Sequence, residues 1–209
     1  MAFISGILFL IVSIIAFYSF AKKLLAIKRN IQLGRPVDLN DQPLARWKNV
    51  FLLALGQKKM FQKPIVAVLH LIVYIGFIII NIELLEIIVD GIFGTHRVFS
   101  ESMGGFYTFL INTFEILALL VTIACVVFLI RRNSIKLKRF ISKDLEGWPR
   151  SDANYILIIE ILLMGLFLLM NAADHEVSFI VSKNFTPWLT ANFDEKQLLL
   201  VEKTAWWLH

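Results

Sequence analysis

The sequence predicts an all-α membrane protein: a polytopic transmembrane helix bundle with four full spans and the start of a fifth. Three observations carry that prediction. Of 209 residues, 58% are hydrophobic and only 18% are charged, against roughly half apolar and about a quarter charged in soluble domains. The apolar residues gather into four runs, each long enough to cross a hydrocarbon core of about 30 Å. The runs do not alternate with period two, and in lipid every backbone polar group has to be bonded internally, so helices are expected rather than a barrel.

Each element follows from its local sequence. The first run, 2–21, ends at Lys22 and Lys23; it has no basic stretch ahead of it and no small-x-small cleavage site, so it reads as an uncleaved anchor rather than a signal peptide. The long connection 22–63 contains its own apolar stretch, Trp47 to Leu55, after Pro43 and between Arg46 and Lys58, Lys59. That pattern predicts an amphipathic helix over about 44–56, lying in the membrane interface. It is either a surface connector or a dock for a redox partner. Spans follow at 64–82, 106–130 and 154–172. After a polar stretch, Ala205-Trp206-Trp207-Leu208-His209 reads as an aromatic belt entering a fifth span. The expectation is a single membrane domain over 1–209, cut short before a cytoplasmic domain.

Cations set the expected orientation. Ten of the 21 Lys and Arg residues fall in 22–63 and seven in 131–153, whereas the opposite connections hold only Arg97, Lys183, Lys196 and Lys203. By the positive-inside rule both basic connections are cytoplasmic and the N-terminus lies outside. The net charge of +5 is therefore read as membrane topology, and no nucleic-acid partner is expected. Membrane lipids are the first expected partner.

The same composition narrows the chemistry. Four spans take about 80 residues and leave connections too short for a catalytic domain. The lone Cys125, inside an apolar run, rules out an intramolecular disulfide, a thiolate-held iron–sulfur cluster, a CxxCH haem attachment or a CxxC zinc site within this chain. No glycine-rich phosphate loop or nucleophile elbow is present, and His175-Glu176 is followed by no second histidine of a zinc protease pattern.

What remains is a short set of polar residues inside the spans. His70 lies seven residues after Lys63, about 10 Å into the second span. Polar groups at that depth are expected to face a bundle interior and to be functional. One reading is an axial ligand to haem b, which needs neutral imidazole and no covalent motif; the other is a histidine hydrogen-bonded to a neighbouring helix. His209, at the outer face, is not expected to share an iron with it. His96 and His175 fall in connections and read as solvated. Glu115 in the third span and Glu160 in the fourth are costly in hydrocarbon, so each is expected to be neutral or paired. Asn112 and Glu115 share a helical face and are candidates, with Glu160, for quinone or proton handling.

Several segments also carry a resemblance: Arg46-Trp47-Lys48-Asn49, Leu55-Gly56-Gln57-Lys58-Lys59-Met60-Phe61, Pro64, His70 to Phe77, and Glu86 to Gly94. They resemble the N-terminal membrane domain of bacterial iron–sulfur oxidoreductases related to heterodisulfide reductase, which is similar to the cytochrome b (gamma) subunit of respiratory nitrate reductase. The resemblance implies a five-helix bundle in the inner membrane of a bacterium, with the N-terminus outside, in which His70 and His209 match haem-ligating positions on the second and fifth helices. It also implies exchange with a membrane quinone, menaquinone or ubiquinone, and a cytoplasmic domain or subunit carrying 4Fe–4S clusters beyond this chain. Ile80 stands where the gamma subunits place a further histidine, which departs from a two-haem pattern. The expected function is thus membrane electron transfer through haem b, as a component of an oxidoreductase. The alternative is a haem-free anchor or assembly module.

Overall fold

A computed structural model describes residues 2–35, 41–135, 147–174 and 179–209. His175 and Glu176, and the cations Lys136, Lys138, Arg139 and Lys143, lie outside the described residues. The described chain is helical, without strands. In order the helices are α1 (Ala2–Gln32), α2 (Pro43–Asn49), α3 (Pro64–Phe93), α4 (Val98–Met103), α5 (Gly105–Asn133), α6 (Trp148–Ala173), α7 (Thr186–Asn192) and α8 (Glu195–Leu208). Four of them, α1, α3, α5 and α6, are long and apolar enough to cross a membrane, which makes this an all-α bundle of the multi-pass membrane type. Contacts divide the chain into two compact units, Met1–Val66 with Leu84–Val98, and Ala67–Glu83 with Phe99–His209.

In the first unit, α1 continues for three turns past its apolar run and ends beyond Lys22, Lys23, Lys28 and Arg29. Basic residues at a helix C-terminus complement its dipole and reach the headgroup level. Where α1 meets the end of α3, small residues allow close approach: a Cβ on Gly91 would stand 2.6 Å from the Phe9 ring, and one on Gly6 would stand 3.1 Å from the Ile92 carbonyl oxygen. Such contacts matter in lipid, where packing rather than water expulsion holds helices together.

The interfacial segment of this unit is a compound helix. It opens at Gln42, in the left-handed region at φ 47°, with Pro43 in the first turn. It then widens into a π-helix over Val50–Leu55. The Gly56 N–H closes it by donating to the Phe51 carbonyl at 2.7 Å. A short 3-10 turn over Lys58–Gln62 leads into α3.

α3 is longer than its apolar run. Glu83, Glu86 and Asp90, read from hydropathy as connection, are helical and buried. Their i, i+3, i+7 spacing puts them on one helical face. The helix stops at Gly94, at φ 69°, whose N–H donates to the Asp90 carbonyl at 2.8 Å. The Asp90 carboxylate then accepts from Thr95 Oγ1 at 2.5 Å and from the backbone N–H groups of Arg97 at 2.8 Å and Val98 at 3.3 Å. One carboxylate thereby closes the turn and satisfies donors at the start of α4.

In the second unit, α5 and α6 form an antiparallel pair clamped at both ends. At one end Asn133 and Asn154 exchange side-chain hydrogen bonds at 3.0 and 3.3 Å, and Arg132 donates to the Arg150 carbonyl at 3.3 Å. At the other, Asn171 donates to Glu115. The two clamps are 18 residues apart on α5 and 17 on α6, about 26 Å in both cases. The core runs along this pair: Ile111, Phe114, Ala118, Val121 and Cys125 of α5 against Met164, Phe167 and Met170 of α6. The middle of α3 joins through Ile80 and through Gly76, where a Cβ would stand 2.5 Å from Val121 Cγ2. α8 starts from a capping box, Asp194 accepting from the Gln197 N–H at 2.8 Å and Gln197 from the Asp194 N–H at 2.9 Å. It is one helix from Glu195 onward, burying Leu198 and Ala205.

Candidate functional site

Asn112 with Glu115, His70, His209 and Glu160 fall in four places, all in the second unit. The first is a buried hub at Glu115. Its side chain is fully buried on α5, and its hydrogen-bond partners are all donors. Oε1 accepts from Asn171 Nδ2 at 3.1 Å and from the Ser182 hydroxyl. Oε2 accepts from the backbone N–H groups of Val181 at 2.7 Å and Ser182 at 3.3 Å. One turn earlier on the same face, Asn112 Oδ1 accepts from the Ile180 N–H at 2.9 Å. Asn112 and Glu115 thus accept from one backbone segment, residues 180–182.

This arrangement follows from what each part lacks. Residues 180–182 precede a single turn (Ser182–Asn184) and carry N–H groups with no helical acceptor. Buried Glu115 in turn needs donors, because a carboxyl left without them in hydrocarbon is very costly. Ser182 Oγ also lies 2.9 Å from the Leu168 carbonyl, and Thr186 Oγ1 donates to the Ala172 carbonyl at 3.1 Å. The segment is thus tied to both α5 and α6. Asn171 and Ser182, both 0% exposed, are the residues that the sequence reading missed; only the interruption of an apolar run by Asn171 hinted at one of them. The hub is saturated, and its geometry is that of a structural clamp.

The second place is His70. It lies on α3 with its side chain exposed, and among the described residues no hydrogen bond is made to its imidazole. The expectation that it faces the interior of this chain's own bundle is not met. Counted from the contact of Gly76 with Val121, His70 is six residues, about 9 Å, toward the N-terminal end of α3. The imidazole is offered outward from within a span.

The third place is His209, whose ring packs on Phe167 at 5.7 Å between centroids and whose Nδ1 is buried without a hydrogen-bond partner. Phe167 sits one turn from the Asn171–Glu115 clamp. Among the described residues the two imidazoles make no contact with each other. Each could supply one axial nitrogen to a haem, and each has ring nitrogen unengaged by protein donors or acceptors, as ligation requires. Among the described residues no three His, Cys, Asp or Glu side chains gather as a metal site, so a haem here would rest on axial imidazoles alone.

Glu160 differs from Glu115. It is half-buried on α6, within electrostatic reach of buried Cys125, and among the described residues it takes part in no hydrogen bond. His96 is exposed and engaged by a neighbour. Comparison of the chain with protein families, with characterised proteins and with solved structures returns no match.

Proposed function

We propose that this chain is a membrane electron-transfer domain in which His70 supplies an axial imidazole to a b-type haem. Electrons would pass between a membrane quinone, menaquinone or ubiquinone, and a cytoplasmic iron–sulfur domain or subunit. The observation that carries this reading is the His70 side chain: exposed on α3, within a span, and without a hydrogen bond among the described residues. An imidazole in hydrocarbon without a partner loses its hydration for nothing. A ligand or helix from outside the chain restores the balance, and a haem iron is the ligand whose chemistry needs a neutral imidazole. When bound, a haem supplies one-electron chemistry; the protein's part is to hold the iron and exclude water around it. His209 offers a second imidazole.

Of the residues considered for quinone or proton handling, Asn112 and Glu115 are occupied by the clamp, which leaves Glu160 as the carboxyl able to exchange a proton. The test is the reduced-minus-oxidised absorption spectrum of the membrane-bound protein and of its His70→Ala variant. The same exposure of His70 also favours a second reading, a haem-free anchor whose histidine hydrogen-bonds a partner's helix. That reading predicts no b-type bands, and a loss on His70→Ala confined to partner binding, of about 1 kcal/mol.

A further inference from the structure

We infer that the compound helix over Pro43–Leu55 and the turn after it form a binding surface for anionic phospholipid headgroups of the bilayer into which α3 runs. Leu44, Trp47, Phe51 and Leu55 recur at helical spacing, and all are exposed, Trp47 at 62% and Phe51 at 59%. The Trp47 and Phe51 rings lie 6.1 Å apart on one face. Nothing in the described chain covers them. Left in water, each such side chain forgoes the favourable removal of its apolar surface from solvent.

Tether length identifies what covers this face. Only eight residues separate Leu55 from Pro64, where α3 begins, and five of these are wound into the 3-10 turn Lys58–Gln62. At about 2 Å of rise per residue in that turn and about 3.5 Å for each of the other three residues, the tether holds Leu55 within roughly 20 Å of the start of α3. The apolar face therefore meets acyl chains and headgroups, the setting in which tryptophan and long basic side chains partition together.

Charge then selects the headgroup. No acidic residue occurs between Asp41 and Glu83, while Arg46, Lys48, Lys58, Lys59 and Lys63 all fall in that interval. Lys48, Lys58 and Lys63 are exposed, and Arg46 pairs with exposed Asp41 at 3.6 Å, a contact worth little in water. A one-signed row of cations beside an apolar stripe complements phosphatidylglycerol or cardiolipin rather than a zwitterionic lipid.

The experiment uses the full chain in nanodiscs of phosphatidylcholine alone or with 30% phosphatidylglycerol, followed by hydrogen–deuterium exchange of 43–62. At about 1 kcal/mol per cation near an anionic surface, or roughly fivefold each, exchange is expected to slow more than tenfold in the anionic discs. That difference is expected to vanish in the Lys48→Gln/Lys58→Gln/Lys63→Gln variant. In both discs, the part of the tryptophan emission lost on Trp47→Phe is expected to be quenched by brominated acyl chains. Equal exchange in the two lipids, an anionic effect that survives the glutamine variant, or Trp47 emission untouched by bromolipid would overturn the inference. So would protection that arises only on adding an acidic protein fraction, since the occupant would then be a protein.

Discussion

Asn171 on α6 donates a hydrogen bond to Glu115 on α5 at 3.1 Å, with both side chains fully buried. The same carboxyl receives the backbone of 181–182, so one side chain joins two spans and the segment after the second. Replacing Glu115 with Leu leaves three N–H donors without an acceptor, at about 1–3 kcal/mol each. Glu115→Leu is expected to lose roughly 3 kcal/mol or more in detergent unfolding, with faster amide exchange confined to 179–185. Glu115→Gln, which keeps one acceptor oxygen, is expected to fall between the two. If Glu115→Gln unfolds like the wild type but loses quinone-dependent electron transfer, the clamp reading is wrong and the carboxyl has a chemical role.

Gly76 permits α3 to approach α5 at Val121. Gly76→Ala would set its Cβ 2.5 Å from Val121 Cγ2, an overlap that costs about 1–3 kcal/mol when the neighbours cannot yield. Thermal unfolding of Gly76→Ala, Val121→Ala and the double variant checks this. The double variant is expected to regain most of the loss, and additive effects would mean that the two residues do not touch.

Asp90 performs at the far end of α3 what a cap performs at a helix start. Asp90→Ala removes the acceptor for Thr95, Arg97 and Val98 and is expected to cost about 2 kcal/mol. Exchange at 95–104 reports it directly: protection there should fall while that of 64–82 is unchanged.

The spans were legible because hydrocarbon demands long unbroken apolar runs, and four such runs are plain in the sequence. Their ends were not. A hydropathy reading stops at Glu83, yet Glu83, Glu86 and Asp90 continue α3 as buried residues, because acids on one helical face can turn to protein while the others meet lipid. The start of α8 lies ahead of the aromatic belt: its signal, the capping box of Asp194 and Gln197, begins twelve residues before Trp206. At the polar sites, the shared face of Asn112 and Glu115 was visible from their spacing of three. Their partners were not, since Asn171 and Ser182 lie 56 and 67 residues from Glu115 in sequence and no local pattern links them. The outward position of His70 was equally hidden. Depth along a helix follows from counting residues, but which face a helix turns to its neighbours depends on packing such as that of Gly76 on Val121.

The proposal that His70 holds a b-type haem is tested most directly by one spectrum. Membranes containing the full protein, and the His70→Ala variant at equal protein content, are reduced with dithionite and compared with their oxidised forms. The account predicts b-type absorption bands in the wild type that are lost or sharply reduced in His70→Ala. Absence of the bands from the wild type, or bands of equal intensity in both proteins, would contradict it.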